Sequence, residues 1–326
     1  MSKKPKFAVI TGFLGQTQDR FRAFNAPQTL EEKFKMMNSM ENVDGLELVF
    51  PYEVNEAATV KPLLKKYDLN MAAVNVNIKK DDDFIHGSIS HPDKAVRDKA
   101  VRFIKEAKDF AAEVGADKVQ CCPLGDGYEY SFQSDYSTSW KRMVDCIAEA
   151  GDYKPEIPLF LEYKPNEIRG NCFLENCSKT LCLLHEIGNK NIGVTLDYGH
   201  SKYGGETPAE ALSLVANSPF PYYIHINDND GKWDWDYMVG TNNFQLYVEF
   251  IYYLKRFEYS DYITSDTSPT RLDIKECFEA NARWTSKIWD LLDNMNTDKL
   301  TKLLNQTDFV KNWKFLENEL FFREGK

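Results

Sequence analysis

Short apolar runs alternate with longer stretches of helical periodicity along the whole chain. The runs are KFAVI (6–10), GLELVF (45–50), NMAAVNVN (70–77), DKVQCCP (117–123), PLFLEY (158–163), NIGVTLDY (191–198), PYYIHIN (221–227) and DYITSD (261–266). Rich in Val, Ile, Tyr and Phe, they read as parallel strands buried on both faces. From Pro92 to Val114, Ala, Val, Phe and Ile recur at helical spacing, and Gly115 supplies a stop. Thr207-Pro208 opens another helix with Pro at its first position. Eight strands alternating with helices predict an α/β fold, a (β/α)8 TIM barrel. A doubly wound sheet is the alternative, and it would spread the candidate site along an open edge. Two further helical stretches, 274–295 and 298–323, carry Trp284, Trp289, Trp313, Leu316 and Phe321 as apolar anchors. The sequence thus divides into a barrel over 1–273 and a C-terminal helical extension over 274–326, expected to pack on the barrel or on a neighbouring subunit.

Composition narrows the picture. With 326 residues, 43% of them apolar, the chain can bury a large core. Its net charge of −10 argues against a nucleic-acid-binding face, which needs clustered Lys and Arg. The only basic cluster, Lys3, Lys4 and Lys6, reads as a solvated tail. Seven cysteines (Cys121, Cys122, Cys146, Cys172, Cys177, Cys182 and Cys277), with no signal peptide ahead of them, suggest reduced structural thiols in a cytoplasmic protein. Cys172 and Cys177 lack the second pair that a zinc knuckle needs. No apolar run is long enough to span a membrane.

The chemistry gathers at strand ends. Glu162 in LFLEYKP, Asp197 and His200 in GVTLDYGH, His225 in YYIHINDND and Asp266 in YITSDTSP all fall where predicted strands finish. In a parallel barrel those ends converge on one face, and that face is the catalytic one. Carboxylates and imidazoles meeting there suit Mn²⁺, Co²⁺, Mg²⁺ or Zn²⁺. Glu162 and Lys164 are two apart on a strand and share a side, so Lys164 can hold a polarised substrate oxygen. A structural ion pair is the plainer reading. An isolated Asp-x-x-His is as readily a capping Asp with a surface His; here its position on the catalytic face favours function. Asp234 and Asp236 in WDWD present two carboxylates on one side of an extended loop, suited to a second metal, with Trp233 and Trp235 as a wall or a cover. His86 and His91 flank GSIS and read as capping or surface groups, and His185 as structural. Gly125-Asp126-Gly127 reads as a turn. Nothing matches a phosphate-binding or dinucleotide loop, so no nucleotide cofactor is expected.

Glu-x-Lys-Pro, Asp-x-x-His, a later His and an Asp-x-Asp pair together resemble the two-metal set of the xylose-isomerase-like barrels, nearest to L-rhamnose isomerases of broad specificity. The segment HGSISHPDKAVRDKAV and the GDG at 125–127 are similar to that group as well, and the likeness runs over most of residues 70–270. The resemblance implies a divalent-metal-dependent aldose–ketose isomerase, with manganese the first expectation. It implies that Glu162, Asp197, His225 and Asp266 hold one metal. Asp197 would bridge to a second, held with His200, Asp234 and Asp236, and Lys164 would contact a substrate oxygen. Two departures stand out. The stretch from His225 to the Asp-x-Asp is about one residue longer than in the rhamnose enzymes, and Asn75 and Asn77 stand where many relatives have a ring-opening histidine. The alternatives are a single-metal ketose 3-epimerase or the barrel subunit of a C-glycoside deglycosidase working with a small partner subunit. A three-zinc endonuclease is disfavoured by the acidic charge, and a non-catalytic barrel by the completeness of the ligand set. The expected partners are a small sugar and further copies of the chain, as a tetramer or dimer, with no nucleic acid or membrane.

Overall fold

The computed structural model describes residues 4–322. Eight parallel strands close into a barrel: β1 (Lys6–Ile10), β2 (Gly45–Phe50), β3 (Asn70–Val76), β4 (Val119–Cys121), β5 (Leu159–Glu162), β6 (Ile192–Asp197), β7 (Tyr222–Ile226) and β8 (Tyr262–Ser265). Each pairs with its sequence neighbours, and β8 closes on β1 with Lys6 opposite Tyr262. The strands follow the apolar runs because both faces are covered, one by helices and the other by the barrel interior. Every residue of β6 is buried.

The helices form the outer layer: α1 (Leu30–Asn38), α2 (Ala57–Tyr67), α3 (Lys94–Val114), α4 (Tyr136–Asp152), α5 (Cys177–Ile187), α6 (Tyr198–Tyr203), α7 (Pro208–Ala216), α8 (Phe244–Arg256), α9 (Ile274–Asp293), α10 (Thr297–Leu304) and α11 (Phe309–Leu316). The sequence signals for their ends operate as expected. Asp93 caps α3 through its side chain, and Gly115 ends it in a left-handed conformation at φ +85°. α9 follows the eighth strand as the other helices follow theirs, and α10 and α11 lie beyond it. Trp289 is fully buried in α9, with Lys255 4.3 Å above its ring. Lys3 lies outside the described residues. Its neighbours are engaged rather than free: Lys4 Nζ pairs with Asp290 on α9 at 2.9 Å, and Lys6 lies over the Tyr262 ring.

The barrel interior changes character along its axis. At one end Ala8, Ala72, Ala73, Phe160, Tyr223 and Tyr262 make an apolar plug. Lys118 closes it, donating to the Ala72 carbonyl at 3.1 Å and pairing with Asp117 and Asp261. One strand period further up, the side chains are Gln120, Glu162, Thr195, His225 and Thr264, all buried. A further period on come Cys122, Lys164, Asp197, Asn227 and Asp266. The two-residue pleat therefore carries β4 to β8 from the closed end through the polar layer to the mouth.

Candidate metal centre at the barrel mouth

Glu162, Asp197, His200 and Asp266 each offer a ligand atom, and these four atoms lie within 4.8 Å of one another. Glu162 and Asp197 are the last residues of β5 and β6, and Asp266 directly follows β8. His225 on β7 adjoins the group, its Nδ1 3.2 Å from Glu162 Oε1 and 3.7 Å from Asp266 Oδ2. Three carboxylates and the His200 imidazole thus share one point, with His225 set against two of the carboxylates, and all but Asp266 are buried.

Local backbone chemistry sets these positions. Asp197 caps α6, accepting the His200 N–H at 2.8 Å, so His200 folds back over the strand end. Capping and site membership therefore coincide in the Asp-x-x-His. The amide of Asn227 donates to both Asp197 oxygens, at 3.1 and 2.9 Å. This arrangement requires Gly199, because a Cβ there would sit 1.6 Å from Asn227 Oδ1.

The loop after β7 completes the mouth. Asp228 and Tyr237 exchange backbone hydrogen bonds at 3.0 and 2.8 Å, closing the intervening residues into a hairpin-like turn. Asp228 also accepts from the backbone N–H groups of Asn242 and Asn243, which anchors the turn to the start of α8. Along the returning arm the side chains alternate. Trp233, Trp235 and Tyr237 are exposed, whereas Asp234 and Asp236 face a cavity of about 370 Å³ that Glu162, Lys164, His200 and Asp266 also line. Asp236 adopts φ +50°, a left-handed conformation that Asp tolerates better than most residues. Asp234 Oδ2 lies 3.1 Å from His200 Nε2 and 2.7 Å from Lys164 Nζ, and Lys164 is paired with Glu167 as well. The Asp-x-Asp and the first group therefore converge on one cavity.

So many charges in little solvent perturb one another strongly. Burial pushes Asp197 up to about 7, with Asp266, Glu162 and Asp234 adding to the shift against His200. Burial and the neighbouring Asp234 and Asp266 hold Asp236 well above the usual carboxylate range. Burial would raise Glu162 too, but His225 and His200 outweigh it and hold Glu162 well below that range. Both imidazoles are held well above their usual value, burial being overcome by Asp197 and Asp234 at His200 and by Glu47 and Glu162 at His225.

The donor set fits a divalent cation, being oxygen and imidazole nitrogen with an excess of carboxylate. The hydrogen bonding agrees. Gln120 Oε1, Asn227 Oδ1 and Asp234 Oδ1 are buried without a hydrogen-bond partner among the described residues. Orphaned polar atoms are rare in protein interiors, and several gather here, while others, on Thr17, Tyr163, Trp289 and Asn312, lie elsewhere. The cluster can hold a metal.

Three contributors carried little signal in the sequence. Glu47 and Gln120 are single polar residues inside apolar strands, Glu47 within hydrogen-bond distance of His225 and Gln120 donating to Glu162. That lone polarity was the available clue. Asp126, read as part of a turn, is buried and accepts from the N–H and hydroxyl groups of both Ser88 and Ser90, pinning the GSIS segment to the loop after β4. The weaker histidines stay outside the centre. His91 accepts the Asp93 N–H, His86 is exposed, and His185 packs edge-on against Phe220. All seven cysteines are free thiols. Among the described residues, no helix is long and apolar enough to cross a membrane.

The chain belongs to the xylose isomerase-like TIM barrel family, whose model matches residues 37–288. It is 27% identical to the xylose isomerase of Thermus thermophilus over 150 residues, 44% of this chain. That match spans 39% of the curated relative's length. In fold it is similar to a D-tagatose 3-epimerase-like protein (TM-score 0.68, 20% identity, 87% of this chain and 98% of that one). It is likewise similar to an L-ribulose 3-epimerase (TM-score 0.69, 15% identity, 93% and 99%). The barrel is therefore one shared by sugar isomerases and epimerases.

Proposed function

We propose that this protein is a divalent-metal-dependent sugar isomerase that interconverts an aldose and a ketose. The observation that carries this reading is the inward turn of Asp234 and Asp236 against His200 and Lys164. Without it the mouth would offer one ligand group; with it, two groups share one cavity. Glu162, Asp197, His225 and Asp266 would hold one cation, and His200, Asp234 and Asp236, with Asp197 shared, would hold or orient the second. Bound there, such cations would act as Lewis acids on adjacent sugar oxygens.

The remaining work falls to the chain's own side chains. Lys164, positioned by Asp234 and Glu167, points an ammonium into the cavity and can donate to the oxygen that gains charge as hydrogen moves between C1 and C2. The apolar wall of Phe13, Leu124 and Ile168 limits the water around the reacting carbons.

A second reading is a single-metal ketose 3-epimerase, favoured by the fold neighbours. Epimerisation at C3 needs an acid–base group on each face of that carbon, and Glu162 and Asp266 are the paired carboxylates available. One experiment separates the readings. The protein, supplied with Mn²⁺, is incubated with a panel of aldoses and ketoses in D₂O, and products are read by NMR. The expected result is aldose–ketose exchange without C3 epimers, together with a loss of turnover of at least about a hundredfold in Asp234→Asn. C3 epimers formed equally well by Asp234→Asn would instead establish the second reading.

A further inference from the structure

Glu47 stands beneath the candidate centre, on β2, and is fully buried. It does not line the mouth cavity, so it is out of reach of a substrate held there. Its neighbours in the strand, Leu46 and Leu48, are ordinary core residues, and burying a carboxylate among them is costly unless its oxygens are engaged. They are. Oε1 accepts from Asn75 Nδ2 at 2.9 Å, and Oε2 accepts from the Tyr223 hydroxyl at 3.0 Å. The third contact is to His225, whose Nε2 lies 3.2 Å from Oε2. Tyr223 is itself bonded to Thr264, so the carboxylate is held directly from β3 and β7 and, through Tyr223, from β8. The far side of the same imidazole presents Nδ1 to Glu162 and Asp266.

We propose that Glu47 is a positioning residue for the metal centre. It accepts the Nε2 proton of His225 and thereby fixes both the tautomer and the ring plane. The Nδ1 lone pair is then aimed at the point where Glu162 and Asp266 meet. A neutral imidazole carries one N–H, and the partner of that N–H decides which nitrogen remains free to ligate. Asn75 and Tyr223 already donate to Glu47, so it has only acceptor capacity to offer His225. This inference rests on reading His225 as a ligand.

Two other roles fit less well. Glu47 meets the ring nitrogen of His225 that points away from Glu162 and Asp266, so it does not share a cation with them. As an acid–base group it has no opening to the cavity.

The test compares wild type, Glu47→Gln, Tyr223→Phe and Glu162→Gln. Dissociation constants for Mn²⁺ and Co²⁺ are measured by chelator competition, together with the visible spectrum of bound Co²⁺ and the ¹⁵N shifts of the His225 ring. Wild type is expected to bind, and Glu47→Gln to bind about 10–100-fold more weakly. The Co²⁺ spectrum and ring ¹⁵N pattern should alter in that variant, while its thermal midpoint without added metal stays close to wild type. If wild type and Glu162→Gln alike bind no divalent cation, the metal reading itself falls. If wild type binds and Glu47→Gln matches it within twofold with an unaltered spectrum, the positioning role is overturned. Should Glu47→Gln fail to fold, Tyr223→Phe decides, since it loosens Glu47 without removing it. A several-fold weaker constant supports the proposal, and an unchanged one refutes it.

Discussion

Asp197 caps a helix and faces the candidate centre with the same carboxylate, and the two uses depend on each other. The His200 N–H that it accepts is what swings the imidazole of His200 toward Glu162 and Asp234. A different logic governs Lys108, on the outer layer. It is fully buried, its Nζ donating to the carbonyls of Gly151 and Tyr153 at the end of α4. Burial lowers it from 10.5 to about 8. Between those two values the unfolded chain keeps a proton that the folded chain has released, so stability from this residue rises with pH through that window and is lost as pH falls through about 8. Urea melts of wild type and Lys108→Met should therefore diverge in favour of wild type by up to about 3 kcal/mol from neutral pH to pH 10.5. A difference that stays flat with pH would show that the lysine is solvated in the folded state.

Strands were legible because burial on both faces leaves a run that only a parallel sheet explains, and all eight runs become barrel strands. The strand-end positions of Glu162, Asp197, His225 and Asp266 were legible for the same reason, but the ligand atoms within 4.8 Å of one another include His200 and not His225. What the sequence hid is the alternation within the strands. GLELVF reads as apolar, and nothing local reveals that Glu47 points to the same interior as His225, which is distant along the chain. The WDWD segment was only half legible. Its Asp-x-Asp spacing suggested two carboxylates on one side, but which side faces the mouth depends on the backbone exchange between Asp228 and Tyr237. Lys4, in the basic start of the chain, pairs at the surface with Asp290, a contact that no local pattern reveals. Local patterning reports elements and their faces; long-range pairing decides which polar groups meet.

At the scale of the molecule, the C-terminal helices leave apolar surface open. Phe309, Val310 and Phe322 are each more than two-thirds exposed, near a cavity of about 260 Å³ lined by Leu300, Leu304, Trp313 and Leu320. Such groups are stabilised by cover, about 1.5–3 kcal/mol for each large side chain fully buried. A homo-oligomer joined through this face is expected, and light scattering at micromolar concentration should give a mass well above the 37.7 kDa of one chain. A monomer would leave the barrel site untouched, since every group in it comes from a single chain.

The central claim is that a divalent cation binds among Glu162, Asp197, Asp266 and the two histidines. The most direct measurement is an anomalous difference map from crystals soaked in Mn²⁺, with Glu162→Gln crystals treated in parallel. The expected result is a strong peak within about 2.6 Å of Glu162, Asp197 and Asp266 oxygens and an imidazole nitrogen in wild type, lost or much weakened in the variant. A map with no peak in the mouth cavity, from protein that binds Mn²⁺ elsewhere or not at all, would contradict the claim.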